Sequence, residues 1–397
     1  MSNLKNTILE GAEALWPEMV SLRRHFHANP ELSYKEYETA SFICSYLERQ
    51  GIPFINGIAG TGIIATIEGK LSGKRVVALR AELDALPVNE ENDVEYRSRN
   101  NGVMHACGHD AHMAMLLGSA VMLNRLRDNF GGKVLLVFQP GEEKSPGGAS
   151  LMIESGAFDE IPPDMVIAQH ILPELETGCV GYRAGRYMAS ADEIYITVRG
   201  KGGHAALSRE VTDQIYIASE LVLTLKDTIA AEQSGRNIPT VFGLGRITGE
   251  GATNVIPATV EIAGTFRTFD ETWRSDAIST IRKIAGAIAA KYKVEIDVTT
   301  GSGYPVLVND ESLAERAVVL SRQLIGDANV KMMDTRMSSD DFAFFTEKYP
   351  SLYYRVGVMN PGESPRPLHT SRFDINEEAI RTGAANMTWL TINLMAD

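Results

Sequence analysis

Apolar residues recur at helical spacing over residues 5–28, where Ile8, Leu15, Met19 and Leu22 fall on one side, and the run Asn29-Pro30-Glu31-Leu32 ends that periodicity. Ser33 with Glu36 reads as a capping box opening a second helix that stops at Gly51. Short apolar, β-branched runs then appear at 62–67, 75–79, 134–138 and 165–168. They alternate with helical patterns at 111–127, which shows Ala114, Leu117, Val121 and Leu123 on an apolar side, and at 147–156. Such alternation predicts an α/β layer with a largely parallel or mixed sheet, whose functional residues gather in loops at the carboxyl ends of strands.

The pattern changes after about Arg183. Residues 192–199 alternate as a half-buried strand, followed by a helix at 210–231, strands at 239–247 and 256–268, a helix at 271–291 and a strand at 293–299. That β-α-β-β-α-β order predicts a ferredoxin-like α+β domain. From 301 the α/β alternation resumes, with a helix at 311–325, a strand at 352–357 and a closing helix from 377. The expected organisation is a split α/β domain, residues 1–183 and 301–397, interrupted by a domain at 184–300.

Composition narrows the function. A net charge of −13 argues against a general nucleic-acid binder and gives no support to an anionic-membrane reading. No run approaches the length of a membrane span, and the first residues lack a basic start followed by an apolar core. Cys44, Cys107 and Cys179 are an odd, scattered set that fits a reducing compartment rather than a disulfide framework, so a cytoplasmic location is expected.

Candidate chemistry concentrates in Met104-His105-Ala106-Cys107-Gly108-His109-Asp110-Ala111-His112. A thiolate and an imidazole on either side of a glycine suit a transition metal, whereas a Cys-x-His by itself reads equally as a buried cysteine beside structural histidines. Glu142-Glu143, after Gln139-Pro140-Gly141, is by itself a solvated acidic turn; beside a divalent metal, one carboxylate binds the ion while its neighbour takes a proton from water. His170 and His369, each unremarkable singly, follow further predicted strands. His25 and His27 read as C-terminal helix residues favoured by the helix dipole. Together, Cys107, His109, Glu143, His170 and His369 supply more donors than one ion needs and suit two ions.

These stretches resemble the M20 metallopeptidase family, in its amidohydrolase branch that cleaves N-acyl amino acids. The likeness runs nearly end to end, through Arg24 to Leu32, Arg80 to Pro87, Met104 to His112, Pro140 to Glu143, Gly200 to Ala206, Asn254 to Pro257, Gly264 to Arg267, Asp340 to Phe342 and Leu368 to Thr370. The resemblance implies a mixed-sheet metallohydrolase domain with the insertion as lid and dimerisation domain. It implies two divalent ions, zinc or manganese with cobalt or nickel compatible, on Cys107, His109, Glu143, His170 and His369. Glu142 would be the general base toward metal-activated water, and Asp84 would orient a ligand or loop. His204 would polarise the scissile carbonyl, and Asn254 and Arg267 would hold the amino-acid part of a small N-acyl amino acid substrate. A homodimer through 184–300 is implied as well. Arg267 on residues alone reads equally as a strand arginine paired with a surface acid.

Alternatives are a dipeptidase or carboxypeptidase on the same scaffold, a catalytically silent metal-binding protein, which retention of both Glu142 and Glu143 opposes, and a thiol-redox protein, which lacks a Cys-x-x-Cys. The chain departs from the family pattern at Glu82, where Asp is usual, at Ile171-Leu172-Pro173, where many members carry an aromatic residue, at Leu207-Ser208-Arg209 and Asp213-Gln214, and at Asp340-Asp341, where Glu-Asp is commoner. These positions bear on which acyl group and amino acid the pocket accepts.

Overall fold

The computed structural model describes residues 2–207, 209–301 and 303–396. The chain forms two compact units: Met1–Tyr187 with Val308–Asp334 and Asp341–Asp397, and Met188–Leu307 with Thr335–Asp340. The second unit thus takes in a short later segment that periodicity alone assigns to the first domain. Backbone bonds explain this: the Ala189 N–H donates to the Arg336 and Ser338 carbonyls at 3.0 and 3.1 Å.

The first unit is built on an eight-stranded mixed sheet. Its order is Phe54–Ile58, Gly62–Glu68, Gly131–Gln139, Leu71–Glu82, Met165–Glu176, Ser351–Met359, Val180–Tyr182 and Val330–Met332. The four central strands, from Gly131–Gln139 to Ser351–Met359, run parallel to one another. They are buried almost throughout where they pair with one another, as strands covered on both faces must be. The strand expected at 165–168 continues to Glu176, because Ser351–Met359 pairs with it in register from Val166 to Leu172. His170 therefore lies within a strand and not at its end.

Helices Ser2–Ala28, His109–Arg125 and Glu378–Met395 pack on each other. The His109–Arg125 helix is buried continuously from His109 to Leu123, so it is a core helix rather than the one-sided helix its pattern suggests. The second helix spans Tyr37–Arg49 and has no side-chain cap. Ser33 and Glu36 do not form the expected capping box. The Ser33 hydroxyl donates to Asp84 Oδ2 at 2.7 Å, and Glu36 accepts from the Gly141 N–H at 2.9 Å and the Thr61 hydroxyl at 2.7 Å. Tertiary partners win both side chains from the helix end. His27 also departs from its expected dipole role: it is fully buried, with Nδ1 2.7 Å from Asp110 and Nε2 3.2 Å from Glu90.

The second unit is a four-stranded antiparallel sheet in the order Thr240–Thr248, Thr259–Thr268, Asp192–Arg199, Glu295–Thr300, with helices Gln214–Ser234 and Glu271–Tyr292. This is the ferredoxin-like arrangement. Each helix starts at an aspartate whose carboxylate accepts an N–H three residues on, Asp213 from Tyr216 and Asp270 from Trp273. Ile194, Ile196, Val198, Leu221, Val260, Phe266 and Trp273 are among the side chains filling a core of its own. Among the described residues no helix is long and apolar enough to cross a membrane.

Candidate metal centre

Gly108 opens the central helix in the left-handed region, φ +83°, and a Cβ there would lie 2.3 Å from Ile171 Cδ1. Only glycine serves at such a position, and the turn it makes faces Cys107 and His109 toward the carboxyl ends of the strands. Glu142 and Glu143 sit in the turn after Gly131–Gln139. That turn begins at Gly141, φ +57°, where a Cβ would meet the Tyr34 ring at 2.3 Å. Two carboxylates hold the turn by its backbone, Glu36 on the Gly141 N–H and Asp84 on the Glu143 N–H at 2.9 Å, and Asp341 holds the Ala149 N–H of the helix Gly148–Glu154 that follows, at 3.0 Å.

The five expected ligands meet in the first unit. Cys107 Sγ lies 3.4 Å from His170 Nε2 and 3.3 Å from His369 Nε2, and His369 Nε2 lies 3.2 Å from Glu143 Oε1. Donor atoms of Cys107, His109 and His170 fall within 4.8 Å of one another, as do those of Cys107, Glu143 and His369, and those of His109, Glu142 and Glu143. Glu142 Oε2 stands 3.9 Å from His109 Nε2. His369 adopts φ +61°, uncommon for a side chain of its size, and its N–H is tied to the Ala106 carbonyl at 2.8 Å. Such backbone outliers concentrate where geometry is held for function.

Two of the imidazoles, those of His109 and His170, have Nδ1 committed. His109 Nδ1–H donates to the Asp84 carbonyl at 2.8 Å and lies 3.3 Å from its carboxylate, and His109 Nε2 is buried with no hydrogen-bond partner. His170 Nδ1–H donates to the Ile171 carbonyl at 2.7 Å, so Nε2 faces Cys107. This is the arrangement by which outer partners fix the ligating nitrogen.

The electrostatics ask for a cation. Burial disfavours the charged form of His109, yet the Asp84 hydrogen bond and the charges of Glu82, Asp84 and Glu143 outweigh it and raise the imidazole to about 10. Burial, reinforced by the Glu143 and Glu142 charges, pushes the Cys107 thiol well above its ordinary value. Burial depresses His170 well below its ordinary value, helped by His112 and Arg355. A divalent ion suits all three, because it replaces the proton on His109, stabilises the Cys107 thiolate beside two carboxylates, and takes a lone pair from a neutral His170. The donors therefore fit metal, and sulfur with imidazole and carboxylate fits zinc and its first-row neighbours.

His204, Asn254 and Arg267 lie in the second unit. His204 pairs with Val255 in a two-residue ribbon, and the Ala205 N–H donates to the Asn254 carbonyl at 2.9 Å, so these two positions adjoin. Arg267 donates to the Met337 carbonyl at 3.0 Å and lies 3.4 Å from the Ser339 hydroxyl, and no carboxylate pairs with it among the described residues.

Residues 78–391 match the peptidase family M20/M25/M40. The chain belongs to this family. It is 39% identical over 295 residues, 74% of this chain and 79% of the relative, to an N-acyl-L-amino acid amidohydrolase of Geobacillus stearothermophilus. It is 35% identical over 396 residues, 99% of this chain and 98% of the relative, to thermostable carboxypeptidase 2 of Saccharolobus solfataricus. Among solved structures, a dinuclear metal-binding peptidase of the M20 family from Bacillus subtilis superposes with a TM-score of 0.80 at 29% identity, covering 97% of this chain and 99% of that one.

In this M20-family chain, sequence reasoning passed over Arg80, Gln139 and His112 as functional supports. Arg80 binds Glu82, Asp341 at 2.6 Å and Gln139 at 2.9 Å, all buried, and so ties two strand ends to the helix after the Glu142 turn. An arginine and an acid two apart in one apolar strand were the available signal. Among the departures, Glu82 belongs to this network, Leu172 is core beside Leu175, and Gln214 is buried at a helix start. Arg209 is exposed, and Ser208 lies outside the described residues.

Proposed function

We propose that this chain is a two-metal amidohydrolase that cleaves the amide bond of small N-acyl amino acids, releasing a carboxylic acid and an amino acid. The observation that carries the reading is the convergence of Cys107, His109, Glu143, His170 and His369, with Glu142 beside them and 3.9 Å from His109. Those five residues would hold two divalent ions, zinc or manganese by their donor chemistry. When bound, the ions supply Lewis acidity that polarises a carbonyl and acidifies water. Glu142, largely buried in a turn held by two carboxylate contacts to its backbone, takes the proton of the attacking water and returns it to the departing amine. Asp84 orients both His109 and the Glu143 peptide.

In the second unit, His204 is the group that polarises the scissile carbonyl, and Asn254 and Arg267 receive the substrate's amino-acid part. Arg267 suits a carboxylate because its guanidinium is half-buried, its charge is disfavoured by that burial, and no carboxylate among the described residues pairs with it. The inserted segment, residues 184–300, also serves as lid and homodimer contact. Three free thiols fit action in the cytoplasm.

Carboxypeptidase action is the second reading, favoured by the thermostable carboxypeptidase relative that matches 99% of the chain. A substrate panel separates the two. N-acetyl, N-benzoyl and indole-acetyl amino acids and several dipeptides are assayed with the zinc- and manganese-loaded protein, with Glu142→Ala as control. Turnover of acyl amino acids that vanishes in the control with metal retained supports the proposal. Turnover of peptides alone replaces it with the second reading, and stoichiometric metal with no turnover on any substrate refutes both.

A further inference from the structure

Close to His109 and His170 stands a third histidine that the ligand set does not use. His112 lies one turn into the central helix, fully buried, its ring centroid 4.6 Å from that of His170 and 5.5 Å from that of His109. With Glu82 and His109 it forms a further cluster of donor atoms within 4.8 Å of one another. Its hydrogen bonds exclude a role as ligand. Nδ1–H donates to Glu82 Oε2 at 2.7 Å, and Nε2 accepts the Ile171 N–H at 3.0 Å. Both nitrogens of the neutral ring are thereby spent, one as donor and one as acceptor, and no lone pair is left for an ion.

The partners at each end show what the ring does. Glu82 is anchored behind it by Arg80, and burial, which disfavours the carboxylate, is overcome by Arg80, His112 and His109, so the group stays ionised. Ahead of it, residue 171 presents its N–H to His112 and its C=O to His170 Nδ1–H. The Ile171 side chain bears on Gly108, between Cys107 and His109. An unbroken line of contacts thus runs from Arg80 through Glu82, His112 and the backbone of Ile171 to His170. It reaches His170 on the side away from Cys107.

We propose that His112 is a positioning residue of the metal centre, which relays the Glu82 anchor through the Ile171 backbone and so fixes Nε2 as the nitrogen that His170 offers to metal. The relay rests on the two-ion reading above. Losing an outer partner of this kind typically weakens metal binding about 10- to 100-fold. Here the loss falls on the ion held by His170, while the ion on the far side keeps its affinity.

The test is chelator competition with Zn(II) and with Co(II), following the Cys107 thiolate-to-cobalt absorption, on wild type, His112→Phe, His112→Gln and Glu82→Asp. Wild type binds two equivalents. His112→Phe, which keeps bulk and loses both hydrogen bonds, binds one equivalent as wild type does and the other about 10- to 100-fold more weakly, with a shifted cobalt spectrum. His112→Gln, whose amide supplies a donor to Glu82 and an acceptor for the Ile171 N–H, recovers affinity to within about threefold. Wild-type affinity for both ions in folded His112→Phe overturns the relay, as does a loss in His112→Gln equal to that in His112→Phe, since ring bulk alone would then matter. Should His112→Phe not fold, Glu82→Asp carries the test: it keeps the charge and shortens the reach, and unaltered affinity there also overturns the relay. Fewer than two equivalents in wild type refutes the two-ion reading itself, and the relay with it.

Discussion

Asp84 accepts the Glu143 N–H at 2.9 Å through its carboxylate while its backbone carbonyl takes the His109 Nδ1–H at 2.8 Å. One residue therefore sets two of the five donors, from two different segments. Burial opposes its ionisation, but the His109 and Ser33 hydrogen bonds and the Glu143 N–H more than compensate and hold its carboxyl below the ordinary range.

Replacing Asp84 separates its two roles. Asp84→Asn keeps an acceptor for the Glu143 N–H but drops the charge, and metal affinity should fall about 10-fold. Asp84→Ala also leaves the Ser33 hydroxyl and Glu143 N–H unmatched, adding a stability loss of roughly 1–3 kcal/mol. Chelator competition and urea melts read the two effects. Equal behaviour of the two variants in both assays would remove the distinction.

Cys107 is the one soft donor of the five, so it should govern metal choice. In Cys107→Ser the ratio of zinc to manganese affinity is expected to drop by an order of magnitude or more, on the order of 10-fold, because the hydroxyl is a harder and poorer donor. Paired competition titrations give that ratio directly. A ratio identical to wild type means that Cys107 is not a ligand.

Arg80 stands at 0% exposure between Glu82 and Asp341. Arg80→Met leaves two buried carboxylates, Glu82 and Asp341, without the cation they share, and should cost about 3–5 kcal/mol. Because Asp341 also accepts the Ala149 N–H, turnover should fall further than stability predicts. Urea denaturation of Arg80→Met, Asp341→Asn and the double variant measures the coupling, and additive losses would show the pair to be independent.

His27 makes stability depend on pH. Burial and the Arg23 charge oppose its protonation, but the hydrogen bonds and charges of Asp110 and Glu90 prevail and raise it above its ordinary value. A raised histidine contributes stability that is complete below its unfolded value of about 6.5 and disappears as pH climbs through the folded value. His27→Gln should therefore be most destabilising near about pH 6, by roughly 3 kcal/mol, and progressively less so at alkaline pH. Thermal melts across that range check it, and a pH-independent difference would refute it.

Much of the fold was legible because its periodicities are unmixed. The strand at Asp192–Arg199 and the helix at Glu311–Ile325 match the bounds read from sequence, since each has one buried and one open face. Legibility failed where burial is two-sided. The central helix and the strand through His170 carry no alternation to read. Short elements such as Val180–Tyr182 and Val330–Met332 exist only through tertiary pairing, the first with both Ser351–Met359 and Val330–Met332, the second with Val180–Tyr182. In the site, donors were visible as residue types, whereas Ser33, Glu36, Arg80 and His112 act through partners far along the chain. Ser33 looks like a helix cap until Asp84 is seen beside it.

Cys107 and His369 touch across 262 residues of chain, and a whole second unit folds between them. On a ribosome, four of the five proposed ligands emerge long before the fifth. The fifth can join them only once the strand Ser351–Met359, which leads to it, has been added to the sheet beside Met165–Glu176. The proposed donor set is therefore closed last, by a segment from the far end of the chain, and a chain cut short before His369 would lack one of its five donors.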